Sequence, residues 1–153
     1  MTHLPEKVLV AMDGSEGSAL AAQRAVGMAR AFGAELHVVH VMPEALPYPD
    51  SSGFVAEPIS DEEEVQWARE LLEEQVKKIE ERGGEVKEAH LRRGNPDAEV
   101  IALAEEIGAG LIVVGSRGLN QLRRLRLGSV SSSIAAHAHC PVLVIRDESR
   151  QDR

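Results

Sequence analysis

The apolar positions change period along the chain, and the changes mark out elements. Residues 7–12 are a short run, Lys-Val-Leu-Val-Ala-Met, rich in β-branched side chains. Its near-continuous apolarity predicts a strand buried on both faces. Ala19, Ala22, Val26, Ala29 and Phe32 then recur every three or four residues, which predicts a helix ending at Gly33. Residues 35–42 predict a second strand. Residues 43–60 hold Pro43, Pro47, Pro49 and Pro58 together with the cluster Asp50-Ser51-Ser52-Gly53, so no regular element is expected there. A long helix is predicted over 61–82, with Val65, Ala68, Leu72, Val76 and Ile79 in one stripe and Gly83-Gly84 as its stop.

The second half repeats the alternation. Residues 85–92 are a weaker, less apolar strand, as suits a sheet edge. Asn95 and Pro96 predict a helix start, with Asn95 as N-cap and Pro96 in the first helical position. Val100, Ala104 and Ile107 form that helix's inner face, and Gly108 and Gly110 close it. Residues 111–114, Leu-Ile-Val-Val, are the most apolar strand. Gly128-Ser129 opens a last helix running to about Ala138, and 141–145 is a fifth strand. Strands separated by helices imply parallel pairing, hence a doubly wound five-stranded α/β sheet in three layers. The chain reads as one domain over 1–146 with a charged, frayed tail at 147–153.

Composition narrows the function classes. The formal net charge of −8 repels nucleic acid and anionic lipid on average. Aromatics are only 3%, too few for a stacking platform on single-stranded nucleic acid. A lone cysteine, Cys140, excludes an internal disulfide and fits a reducing compartment. No apolar stretch approaches the ~20 residues of a membrane span, and the first residues carry no export signal. A cytoplasmic location is the expectation.

In open α/β sheets ligands bind beyond the carboxyl ends of strands, where the strand order reverses. Two turns in such positions carry chemistry. After the fourth strand come Gly115, Gly118, Gly128 and Ser129, with Arg117, Arg123, Arg124 and Arg126 between them and no acidic residue over 115–128. Glycines allow close backbone approach, and a helix start offers free N–H groups and a positive dipole end. Ser129, Ser131, Ser132 and Ser133 add hydroxyls. Together these features predict a phosphate cradle. The alternative is a serine-capped helix beside solvated arginines. The segment is not a P-loop, because no lysine occurs after Lys87.

The other turn begins at Asp13. Its carboxylate can meet a ribose hydroxyl or a phosphate-held metal, or it can form a capping box with Glu16. His37 and His40, three apart on one strand, face opposite sides and cannot share a metal. His137, His139 and Cys140 read as a helix C-terminus rather than a metal site, and Cys140 as a small buried hydrophobe. No G-x-S-x-G elbow is present.

Val8-Leu-Val-Ala-Met-Asp-Gly-Ser-Glu16, Gly115-Ser-Arg-Gly118, Gly128-Ser-Val130 and Cys140-Pro-Val-Leu-Val-Ile145 occur in this order. They resemble the ATP-binding branch of the universal stress protein family, and the likeness spans about residues 5–146. The pattern G-x2-G-x9-G-[ST] carries most of it. The resemblance implies strand order 3-2-1-4-5, ATP with a divalent cation such as Mg2+ or Mn2+, and a homodimer paired through Val142, Leu143, Val144 and Ile145. It places Ala11, Met12, Asp13 and Val41 on the adenine and ribose. Val114, Gly115, Arg117 and Gly118 continue towards the phosphates, which Gly128, Ser129, Val130 and Ser131 hold. The expected function is regulatory, through nucleotide occupancy and dimer contacts with little or no turnover. The rivals are a slow ATP-cleaving enzyme and a nucleotide-free interaction module. Against cleavage, the turn after the first strand reads Asp13-Gly14-Ser15 rather than Ser-Gly-Gly, and no general base is evident.

Overall fold

A computed structural model describes residues 3–44, 61–116 and 127–146. The chain runs β1 (Lys7–Ala11), α1 (Glu16–Phe32), β2 (Glu35–Met42), α2 (Asp61–Glu81), β3 (Glu88–Arg93), α3 (Pro96–Ile107), β4 (Leu111–Gly115), α4 (Ser129–His137) and β5 (Val142–Ile145). The strands form one sheet in the order β3-β2-β1-β4-β5, every pair parallel. This is the doubly wound architecture read from the alternation.

The period-two geometry of a strand divides the core. Val8, Val10, Leu36, Val38 and Val113 point to one face, where Ala21, Ala22, Ala25 and Ala29 of α1 and Leu72 and Ile79 of α2 cover them. Leu9, Val39, Ile112 and Val114 point to the other, against Val100 and Leu103 of α3 and Ile134 of α4. Val8, Leu9 and Val10 have no exposed surface, so both faces of β1 are covered. Burying each such side chain contributes about 1.5–3 kcal/mol before the entropy of ordering is subtracted. Alanines on α1 let it lie close over β1 and β4.

Three details differ from the sequence pattern. The buried face of α1 is Ser18, Ala21, Ala22, Ala25 and Ala29, while Ala19 is exposed. In an alanine-rich helix both candidate stripes look alike, because alanine is tolerated on either side. β3 begins at Glu88, three residues later than predicted. Gly83, at φ +88°, and Gly84 close α2, with Gly84 N–H donating to the Ile79 carbonyl, and the chain needs the following residues to reach the sheet edge. β1 ends at Ala11, but Met12 N–H still bonds Val39 C=O at 2.8 Å. Among the described residues no helix is long and apolar enough to cross a membrane.

From β1 the chain winds outward to β2 and β3. It then returns beside β1 as β4 and winds the other way to β5. The crossovers leaving β1 and β4 diverge, and the crevice between their carboxyl ends is where an open sheet accepts a ligand.

Candidate functional site

The turn from β1 into α1 is closed by its own side chains. Ser15 is the N-cap of α1, and its Oγ accepts from Ser18 N–H at 3.1 Å. Asp13 stands before the cap: its Oδ1 accepts from Ser15 N–H at 2.9 Å, an Asx-type turn. Asp13 therefore does not cap α1 as the Asp13/Glu16 spacing suggested. Ser15 outcompetes it because the hydroxyl sits three residues before the amide it satisfies. Gly14, at φ +85°, makes the turn possible without strain. Asp13 keeps its second carboxylate oxygen for another partner.

The turn from β4 into α4 is built differently. Gly115 lies so close to α1 that a Cβ there would stand 2.8 Å from the Gly17 carbonyl carbon and oxygen. This backbone-to-backbone approach is enough to require glycine here. Ser116 N–H bonds Ile145 C=O, and Gly128 N–H returns to Ser116 C=O at 2.7 Å, which fixes the base of the connection. Arg117, Gly118, Arg123, Arg124 and Arg126 lie outside the described residues.

Gly128 is the N-cap of α4 in extended conformation (φ −62°, ψ 160°), and no side chain caps the helix. The first helical bond in α4 is Ser132 N–H to Gly128 C=O at 2.9 Å. The N–H groups of Ser129, Val130 and Ser131 therefore find no acceptor among the described residues. The first turn also holds no acid. The other three helices do carry acids there: Glu16 in α1, Asp61 to Glu64 in α2, Asp97 and Glu99 in α3. Asp97 lies in the first turn of its own helix, and its carboxylate accepts from Ser133 Oγ at 2.6 Å. The Ser133 hydroxyl is the first reason the Asp97 pKa lies below the ordinary carboxylate value. Asn95 occupies the N-cap position as predicted, but its side chain makes no capping bond.

These two turns enclose a cavity of about 390 Å³, within the range of small-molecule sites. All ten described residues of the expected set line it: Ala11, Met12, Asp13, Val41, Val114, Gly115, Gly128, Ser129, Val130 and Ser131. One expected role changes. Ser131 is buried, and its Oγ donates to the carbonyls of Ser116 and Gly128, so only its backbone N–H is free for a ligand. Ser133 likewise turns to Asp97.

Sequence reasoning missed Ser15, Ser18, Val39, His40, Pro43, Pro96 and Val100, which also line the cavity. His40 is the most informative. Its Nδ1 lies 2.8 Å from the Met12 carbonyl, and since a carbonyl only accepts, Nδ1 carries the proton. This bond pins the end of β1 beside Asp13. Strand alternation could give the face of His40 but not its backbone partner. His137 follows its capping assignment, with Nδ1 bonding Ser133 C=O at 2.9 Å, whereas His139 pairs with the Glu105 carboxylate instead. Cys140 is half-buried, and burial pushes its thiol pKa up, so it is a poor nucleophile.

Comparison with known proteins agrees with this architecture. Residues 5–146 match the Universal stress protein family. Universal stress protein YxiE of Bacillus subtilis is 40% identical over 146 residues, covering 92% of this chain and 98% of its own length. A universal stress protein solved in complex with cAMP superposes with a TM-score of 0.70 at 26% identity, over 94% of this chain and 98% of the other. The universal stress protein of Archaeoglobus fulgidus, solved in complex with dAMP, gives 0.67 at 27% identity, over 94% and 99%. With the fold, the switch-point cavity and this match over nearly its whole length, the chain belongs to the universal stress protein family.

Proposed function

We propose that this protein binds ATP in the switch-point cavity and acts as a regulatory stress-response protein through nucleotide occupancy, with little or no turnover. The observation that carries the reading is the start of α4. Three backbone N–H groups, a positive dipole end and a glycine N-cap open onto a cavity whose opposite wall holds Asp13. The chemistry of the lining fits the group. Ala11, Met12, Val41 and Val114 supply apolar walls for adenine. Asp13 suits a ribose hydroxyl. Gly128 and the amides of Ser129, Val130 and Ser131 suit phosphate oxygens. Arg117 and Gly118 would continue the phosphate side. A divalent cation, Mg2+ or Mn2+, would arrive with the phosphates. The relatives solved with cAMP and dAMP support adenine as the base.

Among the described lining residues no general base stands hydrogen-bonded to a nucleophile, which favours binding over cleavage. A homodimer through β5 belongs to the same reading. β5 pairs only with β4 among the described strands, so Val142–Ile145 present an open edge of the kind that proteins pair or cover. A cytoplasmic setting is supported by the single free thiol of Cys140. Native mass spectrometry of gently purified protein, followed by calorimetry with ATP and Mg2+, tests the reading. Co-purified adenine nucleotide, or ATP binding to nucleotide-free protein, is the expected result. Folded protein that neither retains nor binds adenine nucleotide would overturn it.

A further inference from the structure

The β2–β3 edge of the sheet holds a second cluster, apart from the cavity lining, that nucleotide binding leaves unused. His37 of β2 stands opposite Glu88 of β3 in the parallel register, and His90 stands opposite Val39. All four residues therefore share one face of the sheet, that of α3 and α4. The His37 side chain is 5% exposed and that of His90 13%, while Glu88 reaches solvent at the edge. His37 Nδ1 lies 3.1 Å from His90 Nε2, with the ring planes 21° apart. Glu88 Oε2 lies 3.8 Å from the same His90 nitrogen. One ligand atom from each of His37, Glu88 and His90 falls within 4.8 Å of the others. A second carboxylate completes the group: Glu35 Oε2 is 3.2 Å from His37 Nε2.

The donor and acceptor roles follow from elementary chemistry. An ionised carboxylate only accepts, so a neutral His37 carries its proton on Nε2 and donates to Glu35. Its Nδ1 is then a lone pair turned towards His90 and Glu88. An imidazole held from behind by a carboxylate, with its other nitrogen facing further ligand atoms, is how proteins orient metal-bound histidines. Without a metal, His90 Nε2–H meets that lone pair. Moving the His90 proton to its own Nδ1 frees a second lone pair at no change in charge. Four-coordinate zinc with bonds of about 2.0–2.1 Å places its ligand atoms roughly 3.3 Å apart, and 3.1 and 3.8 Å bracket that spacing.

We propose that His37, His90 and Glu88 bind a borderline divalent transition-metal cation, with Zn2+ as the type ion, Glu35 as a positioning residue and water in the open position. Two imidazoles and one carboxylate suit such ions better than Mg2+ or Ca2+, which take oxygen ligands. The bound ion ties edge strand β3 to β2, through residues that do not line the nucleotide cavity.

The test is calorimetry of tag-free, EDTA-treated full-length protein with ZnCl2, and visible absorption with CoCl2. The expected result is one Zn2+ per chain at about micromolar Kd or tighter, with the intense bands of four-coordinate Co2+. Glu88→Gln, an exposed change, weakens binding at least about tenfold, and His90→Gln abolishes it with the circular dichroism of the fold retained. Glu35→Gln weakens Zn2+ roughly 10–100-fold while leaving the metal-free melting temperature in place. Asp13→Asn, in the nucleotide cavity and not among the metal ligands, leaves Zn2+ affinity unchanged. Wild-type protein with no site tighter than about 100 µM, or equal affinity in wild type, Glu88→Gln and His90→Gln, overturns the proposal.

Discussion

The starts of α1 and α4 lie side by side at the switch point, yet they are finished in opposite ways. α1 begins with Ser15, whose hydroxyl satisfies an amide of its first turn, and it carries Glu16 there. α4 begins with Gly128, has no side-chain cap and no acid in its first turn. A helix start exposes several amides and a partial positive charge whatever the sequence. α1 meets part of that demand with its own side chain, whereas α4 shows no side-chain cap among the described residues. The contrast separates two equivalent-looking turns: one is closed by its own side chain, and the other, uncapped among the described residues, is the one that suits a ligand. Asp13, held by the closed turn, then faces the open one across the cavity.

The contrast can be erased by giving α4 a cap of its own. Gly128→Asp introduces a side chain that accepts from the first-turn amides and repels phosphate. Extended backbone at this position suits any residue, and circular dichroism checks that the buried position accepts the side chain. Nucleotide affinity should fall roughly 100-fold, on the scale of one or two lost charge-assisted hydrogen bonds. Thermal stability should hold or rise. Calorimetry with ATP beside a melting curve reads both.

A second change attacks the contact that sets the two turns together. Gly115→Ala drives a Cβ to 2.8 Å from the Gly17 backbone, and neither neighbour is a side chain that can swing away. Denaturant unfolding should show a loss of about 1–3 kcal/mol. Ser15→Ala instead opens the closed turn. It should cost about 1 kcal/mol of stability, the usual value of a lost N-cap.

The smallest effect concerns α3, whose first turn carries Asp97. Its depressed pKa, caused first by the Ser133 hydroxyl, means the folded state holds this carboxylate ionised more firmly than the unfolded state. The stabilisation is full above the ordinary carboxylate range and is lost as pH falls through the lowered folded value. Ser133→Ala should raise the Asp97 pKa towards its ordinary value and flatten that part of the acid-unfolding curve. Carboxyl NMR titration of both proteins measures it.

Much of the architecture was legible because strand and helix periods differ and the elements are strongly patterned. β2 was placed over its full length, and the α2 stripe holds at Ala68, Leu72 and Ile79. Errors came where residue types are permissive. Alanine did not fix the face of α1. Asp13 and Ser15 are both N-cap residues, and only geometry chooses between them. Gly115 lines the cavity as the motif spacing predicts, but the motif does not show that Gly17 packs against it. Spacing alone also hid the His37–His90 pair, because those residues are 53 apart in sequence and meet only through β2–β3 pairing. The β3 pattern was too weakly apolar to give that register. The loop over 43–60, whose role the sequence left open, lies outside the described residues beyond Glu44, as does the arginine-bearing 117–126 segment.

The central claim is that the open amides of α4 hold phosphate. The most direct measurement is the amide NMR spectrum of nitrogen-15-labelled protein titrated with ATP and Mg2+, and in parallel with adenosine. The Ser129, Val130 and Ser131 amides should shift strongly with ATP and far less with adenosine, which lacks phosphates. Those three amides staying still while ATP binds, or moving equally with adenosine, would contradict it.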